Sequence, residues 1–472
     1  MNLDLTNVIT VSVATAPAGA GYYNTSNLAL ATWEAPGMSF GAAPFKIYLN
    51  PGDVATDWGT ASLTAQMANQ VFSQSPNILL GNGYFVVLPM LAQIDDLALS
   101  GIPASGTFEL VFPGGTSAAI NWNDATSVIQ TKVQAVSGQA TTLVTGSLAT
   151  QDLKINYVGI YGPVASVTIT ANSLATSAPV AITFVITIFQ VAETPDETFD
   201  RTRPLVQYFG FMANVINATP AVLGAAIAPY NNIGFAVTRT QADVNPGGGF
   251  DLLRSGNLHT MRGLGYFADN DTDSLNYMAS YAGRALSTNF SGSLTTSTMN
   301  LKDLVGVQPD PAMTQTLYNA CKLAGVDIYV SLEGIPKVIS FGANDFFDQV
   351  YNLAWFTGAL KIAAFNYLAT TATKIPQTEP GMTGFKGALR QVCLQAITNG
   401  YAAPGTWNSP TTFGNQADFL ANIVQVGFYI FSVPISQQSQ ADRVARLAPL
   451  SQIALKEAGA IQSAAIIVNI NS

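Results

Sequence analysis

Two hydrophobic textures alternate along the chain. Period-2 runs rich in β-branched residues read as half-buried strands, and apolar residues three or four apart read as helix faces. Residues 22–90 mix both: 45–49 read as a strand, and 60–72 as a helix with Leu63, Met67 and Val71 on one stripe. The run 84–89 (YFVVLP) is apolar throughout, the pattern of a strand covered on both faces. The mixed texture resumes after Asp200, with strands expected at 204–211, 232–237, 327–332 and 335–341. Two long helices follow. In 345–367, Phe347, Val350, Leu353, Ala354, Phe356 and Ile362 are expected to face the core. In 384–399, Leu389, Val392 and Ile397 do so, with Gly400 as the stop.

Between these blocks the pattern changes. From about residue 106 to about 189 the chain is rich in Thr, Ser, Ala and Val and poor in charge. Strands are expected at 107–112, 117–122, 141–145, 153–158, 166–171 and 181–188. One helix is expected over 125–136, with Ile129, Val133 and Val136 inside and Asn123 or Asp124 as its cap. Gly101-Ile102-Pro103 and the acidic segment 193–200 bound this unit. The simplest reading is one α/β domain interrupted by a small α+β, β-rich domain.

Both ends carry sticky strands. Residues 7–13 (NVITVSV) place Ile9, Val11 and Val13 on one face and are followed by an Ala/Thr/Pro/Gly leash. At the other end, 429–433 reads as a strand and 439–442 opens a helix with capping-box spacing. Pro449 is expected to begin a second helical piece ending at Gly459, before a closing strand at 464–470 (AAIIVNI). Exposed apolar strands at both termini need partners.

Composition agrees. Charged residues make up only 10% of the 472, hydrophobic residues 48%, and the net charge is −9. Disorder requires the opposite balance. The longest apolar stretch, 179–192, is broken by Gln190 and falls short of the roughly 20 residues of a membrane span. No membrane insertion is therefore expected, and the acidity argues against nucleic acid. A charge-poor, folded chain of this kind is expected to bury its surface against partners. Cys321 and Cys393 give no disulfide framework and read as buried thiols of a reducing compartment. The start, Met1-Asn2-Leu3-Asp4, has no secretory pattern.

Candidate chemistry is sparse. The one histidine, His259, has no nucleophile or carboxylate nearby in sequence to suggest a catalytic triad, and with two distant cysteines it makes no zinc site. Asp269, Asp271 and Asp273 resemble the start of a calcium loop, but Ser274 and Ser280 stand where Gly and Glu belong, so the run reads as a solvated acidic loop. Gly263-Leu264-Gly265 begins a dinucleotide fingerprint that runs into that acidic segment instead of opening a helix. The pair Asp95-Asp96 reads as surface charge. No catalytic residue, metal or cofactor is expected.

The C-terminal half resembles contractile-tail sheath proteins of phages. The resemblance rests on 374–381 (KIPQTEPG), 399–407 (NGYAAPGTW), Phe428-Tyr429-Ile430, Arg443, Arg446, Ala448-Pro449 and 458–461 (AGAI), in that order and spacing. Ala282-Gly283-Arg284 followed by Asn289-Phe290, and residues 345–355, add to it. It is dense from about residue 266 onward, thinner over 1–95 and absent over the inserted unit. The implied fold is a sheath-type α/β core with terminal strand arms. We divide the chain into an N-terminal arm (1–21), a first core part (22–100), an inserted outer domain (101–195), a second core part (196–460) and a C-terminal arm strand (461–472).

The resemblance implies a subunit of a six-start helical sheath around an inner tail tube, a virion component assembled in the host cytoplasm. Its other partners would be baseplate and tail terminator proteins. The arm residues Val8, Ile9, Val11, Val13, Ile466, Ile467, Val468 and Asn469 would pair with other subunits by strand addition. Arg443, Arg446 and Lys456, in the region 439–459, would face the tube, with Arg443 and Arg446 on one helical face and Val444, Leu447 and Leu450 packed on the core. The alternatives are another self-assembling virion shell or tube protein, and a carboxylate-based polysaccharide-degrading enzyme.

Overall fold

The computed structural model describes residues 24–37, 39–41, 43–216 and 219–462. The expected terminal strands, with Val8, Ile9, Val11, Val13 and Ile466, Ile467, Val468, Asn469, lie outside the described residues. Two compact units are present: a sheet unit of residues 24–288 and 299–347, and a C-terminal unit that takes 289–298 and, among the described residues, 348–462.

The chain enters the sheet unit through β1 (Leu28–Thr32), β2 (Lys46–Tyr48) and β3 (Phe85–Pro89). It then builds a module from β4 (Ile94–Leu99), β5 (Thr107–Phe112), β6 (Gly115–Thr116), β7 (Ile120–Asn121), β8 (Leu143–Ser147), β9 (Asp152–Asn156), β10 (Thr168–Thr170) and β11 (Phe184–Gln190). It returns through β12 (Gly210–Ala213), β13 (Ile233–Thr238), β14 (Met261–Gly265), β15 (Asp327–Leu332) and β16 (Ile335–Ile339). The large sheet has the order β16-β15-β14-β13-β12-β1-β3-β2. Its six inner strands run parallel, and β2 and β16 close the two edges antiparallel. The fold is α/β. Strands β1, β12, β13 and β14 are buried along their whole length, as a parallel sheet covered on both faces requires.

One face packs Ala29, Val86, Phe211 and Ile328 against the helices Pro195–Thr202, Pro220–Ile227 and Gln315–Ala324. Elsewhere helix Leu63–Ser73 lies against helix Asp271–Ala285. The approach is close: a Cβ on Gly283 would come within 2.7 Å of the Val71 carbonyl oxygen. This gives the Ala282-Gly283-Arg284 motif a packing reason.

The module has its own core of Leu97, Phe108, Leu110, Ile129, Val133 and Tyr157. Its larger sheet has the order β11-β4-β9-β8, so β4, which the sequence reading places in the first core part, is a middle strand of the module. The expected strand 117–122 is reduced to the two-residue β7, with β6 lying just before it. The module's helix, Thr126–Gln134, begins after Ala125 without a side-chain cap. Asp124 accepts instead from the Asn121 amide (2.8 Å) and the Lys132 ammonium (2.6 Å).

Two further expectations change. Strand 204–211 moves to Gly210–Ala213, because residues 203–206 finish the preceding helical turn. The acidic run is not a loop: helix Asp271–Ala285 starts there, its amides accepted by the Asn270 side chain. Arg239 donates to both Asp269 and Asp271.

One buried ion pair ties the sheet together. The Arg262 guanidinium on β14 donates to Asp327 on β15 at 2.9 and 2.5 Å. Both side chains are almost wholly shielded from solvent. Asp327 also accepts from the Tyr281 hydroxyl (2.6 Å), the Ser340 hydroxyl (3.0 Å) and the Phe341 amide (2.8 Å). Arg262 spends its other donors on the carbonyls of Phe341 (3.0 Å) and Asp345 (2.6 Å). Burial alone would favour a neutral arginine, but Asp327 outweighs it and holds Arg262 charged. Asp327→Ala strands that cation in the interior. We expect a loss of about 3–5 kcal/mol of stability, read from urea unfolding midpoints. A loss below about 1 kcal/mol would show that the network does not brace the sheet.

Candidate assembly surfaces

In the C-terminal unit, β17 (Phe428–Ser432) and β18 (Ser451–Leu455) form an antiparallel pair from Phe428↔Leu455 to Ser432↔Ser451. Helix Gln416–Val426 packs beneath, and Phe419, Ile423 and Ala454 make its buried centre with Trp407, Phe413 and Tyr429 around them. Gly427 ends that helix at φ 82°, where a Cβ would lie 2.8 Å from Ile397. Only glycine turns the chain there. The chain beyond β18 is held by residues 401–403: the Ala403 amide donates to the Lys456 carbonyl (3.0 Å) and the Ala458 amide to the Tyr401 carbonyl (2.9 Å). Among the described residues no strand lies on the outer side of β17. Among the described residues the hairpin is a supported two-stranded sheet whose β17 edge has no further strand. A groove of about 350 Å³ borders β18, lined by Gln349, Trp407, Asn408, Lys456 and Glu457.

The strand at 451–455 replaces the helical piece expected from Pro449 to Gly459. Pairing with β17 overrides the local pattern, as tertiary context does for short apolar runs. The region 439–459 is therefore not one helix. A five-residue helix, Gln440–Val444, starts at Ser439, whose side chain accepts from the Asp442 amide. It ends in a Schellman turn, with the Arg446 amide on the Arg443 carbonyl (3.1 Å) and the Leu447 amide on the Asp442 carbonyl (3.0 Å). Arg446 takes the left-handed position, φ 57°, so it does not share a helical face with Arg443. Lys456 follows β18 and donates to the Glu457 carbonyl at 3.0 Å. Val444, Leu447 and Leu450 do not pack on the core but are exposed, as are Arg443 and Arg446.

The long helices also differ in detail. Helix Phe347–Thr370 buries Tyr351, Ala354, Trp355 and Phe356, while Leu353 points outward. Helix Glu379–Thr398 buries Leu389, Cys393 and Ala396, and Val392 and Ile397 flank that face, each half-buried. Trp355 stacks on Phe290 with ring centres 4.6 Å apart, which joins two of the motifs behind the family resemblance.

Catalytic candidates stay dispersed. His259 Nδ1 lies 3.2 Å from an Asp345 carboxylate oxygen, with His259 half-buried and Asp345 exposed. Cys321 and Cys393 are buried, and burial pushes each thiol up to about 12, far from a reactive thiolate. Asp95, read as surface charge, is fully buried. It accepts from Gln93 (2.9 Å), Tyr157 (2.8 Å), Ser166 (3.2 Å) and the Val167 amide (2.9 Å), so it organises the module's core. Among the described residues no group of three or more His, Cys, Asp or Glu could hold a metal ion, and no helix is long and apolar enough to cross a membrane.

Residues 347–470 match the family described as E217 tail sheath protein gp31-like, C-terminal domain. That stretch holds β17, β18, the helix beneath them and both long helices. Over residues 347–470 the chain is similar to that phage tail sheath family. No curated protein matches the chain. Among solved structures, the anti-feeding prophage (AFP) helical sheath in its contracted state aligns over 98% of this chain and 97% of its own, at 9% identity and a TM-score of 0.43. A chain of Mycobacterium phage Patience aligns over 21% of this chain and 38% of its own, at 21% identity and a TM-score of 0.14.

The Schellman turn after helix Gln440–Val444 makes a prediction. A left-handed arginine is strained, so Arg446→Gly should stabilise the C-terminal unit by about 0.5–1 kcal/mol. Arg443→Gly, inside the short helix, should destabilise it by a similar amount. Thermal melting of the two variants against the parent chain checks the order. The reverse order would mean that the turn is not formed in solution.

Proposed function

We propose that the chain is the structural subunit of a contractile phage tail sheath and has no catalytic role. The observation that carries this reading is the tail sheath domain at residues 347–470, which contains a hairpin with an open edge. In this reading the arms with Val8, Ile9, Val11, Val13 and with Ile466, Ile467, Val468, Asn469 are the strands that complete such an edge on neighbouring subunits. The sheath is a six-start helical cylinder in the virion, assembled in the host cytoplasm around an inner tube and held between baseplate and terminator proteins. Its energy is stored in subunit packing, and contraction drives the tube through the host envelope. Arg443, Arg446 and Lys456 face the tube. Arg443 and Arg446 act as single exposed cations and not as one helical face, Lys456 is half-buried, and each contact is worth at most about 1 kcal/mol, so the extended state is held without being locked. The inserted module lies on the outer surface, where insertions are tolerated.

Electron microscopy of the purified chain tests the reading. The full chain should form hollow cylinders. A chain lacking residues 1–15 should stay a folded, soluble monomer. Cylinders from the truncated chain equal to those of the full chain would remove the N-terminal arm from the assembly. A full chain that forms no cylinder under any condition would overturn the sheath reading.

A further inference from the structure

The two units divide the chain's charge unequally. Residues 24–288 and 299–347 hold twelve Lys and Arg against 22 Asp and Glu, a net of −10. Residues 348–472 hold seven against five, a net of +2, and 289–298 hold none. Pairing follows the same division. Every ion pair between described residues lies in the acidic unit, where eight of the twelve Lys and Arg meet a carboxylate. In the C-terminal unit Arg390 sits over the Phe428 ring at 5.2 Å and Lys456 donates to a carbonyl. Lys361 and Lys374 are exposed and meet no carboxylate among the described residues.

Lys361 has apolar company. It stands on helix Phe347–Thr370 with Leu353, Phe365 and Leu368, which are 56%, 55% and 61% exposed. At about 100° per residue these four positions fall within one arc of roughly 120° on the helix surface. Lys374 follows the end of the same helix. An apolar stripe beside unpaired cations fits a partner that is acidic and has apolar surface of its own. A phosphate backbone or an anionic lipid surface offers the charge, but two unpaired lysines fall short of the basic cluster that holds a polyanion. The acidic unit of a second copy offers charge and apolar atoms together, in equal number to the cationic faces.

We propose that the Lys361 face of helix Phe347–Thr370, with Lys374 beyond its end, docks on the acidic unit of a second copy. The two surfaces differ, so the contact is heterologous: it propagates head to tail into a filament instead of closing a pair. The inference rests on the sheath reading above and adds to it an electrostatic contact besides strand addition.

The test uses the full chain, followed by light scattering and electron microscopy from about 50 to about 500 mM salt. Wild-type assembly should weaken as salt rises. Lys361→Glu with Lys374→Glu should raise the concentration needed for assembly at least about tenfold at low salt and flatten the salt dependence, with unchanged melting temperature. The corresponding Lys→Arg pair should assemble as wild type. Phe365→Ser should weaken assembly while keeping the salt slope. Wild-type assembly by the double Glu variant at low salt would overturn the contact. So would unchanged self-assembly in a variant that loses binding to anionic vesicles or DNA, which assigns the patch to a polyanion. A wild-type chain that never self-associates overturns the sheath reading itself, and this contact with it.

Discussion

The sheet unit depends on how it handles one buried charge. Arg262 and Asp327 stand on neighbouring parallel strands, in a region where both sheet faces are covered. Taking two ions out of water costs several kcal/mol each, so the pair is tolerable only with every polar atom engaged. The fold meets that condition by bringing three other elements to it: Tyr281 from helix Asp271–Ala285, Ser340 and Phe341 from the chain after β16, and the Asp345 carbonyl before the long helix. The sheet, the helix and the route out of the sheet are thus placed by one hydrogen-bonded centre. Burial holds the Tyr277 and Tyr281 hydroxyls well above their ordinary range, so no second charge forms there.

The module solves a similar problem without a cation. Asp95 is buried on β4 and accepts from neutral donors alone: Gln93, Tyr157, Ser166 and the Val167 amide. Those donors come from the start of the module's chain and from residues 157–167. The next residue, Asp96, faces outward beside Lys154. The alternation of β4 explains the split, since adjacent side chains leave opposite faces of a strand. The pair reads as uniform surface charge only while β4 is taken for an end of the core and not for a middle strand.

This marks what was legible in the sequence. The parallel strands β3, β13 and β15 are continuous apolar or β-branched runs, and such runs have few alternatives once their length excludes a helix. The helices Leu63–Ser73 and Glu379–Thr398 announce themselves by spacing and stop signals. The exceptions share one cause. Arg262 and Asp327 are 65 positions apart, and nothing local in either tells that the other will neutralise it. Residues 449–459 carry an apolar pattern that suits a helix or a strand, and the deciding interaction is the ladder to β17. The outward turn of Leu353 is invisible for the same reason: a helix that is apolar nearly all round does not say which side the core will take. Of the candidate surfaces, the cations were legible as cations, but their lack of carboxylate neighbours was not.

The hairpin of the C-terminal unit connects these points to assembly. A two-stranded sheet alone in water is marginal. Here Phe419, Ile423 and Trp407 support one face of it, and residues 401–403 hold the chain beyond β18, so the backbone of β17 is ordered before any third strand arrives. An incoming strand then orders only itself, which lowers the entropy lost on association. The same economy extends to charge. The sheet unit neutralises most of its cations internally, whereas the C-terminal unit leaves Lys361 and Lys374 open beside apolar side chains. In the proposed assembly, a β17 edge without a further strand and cations without a carboxylate, both among the described residues, would be satisfied by the same event, contact with another chain.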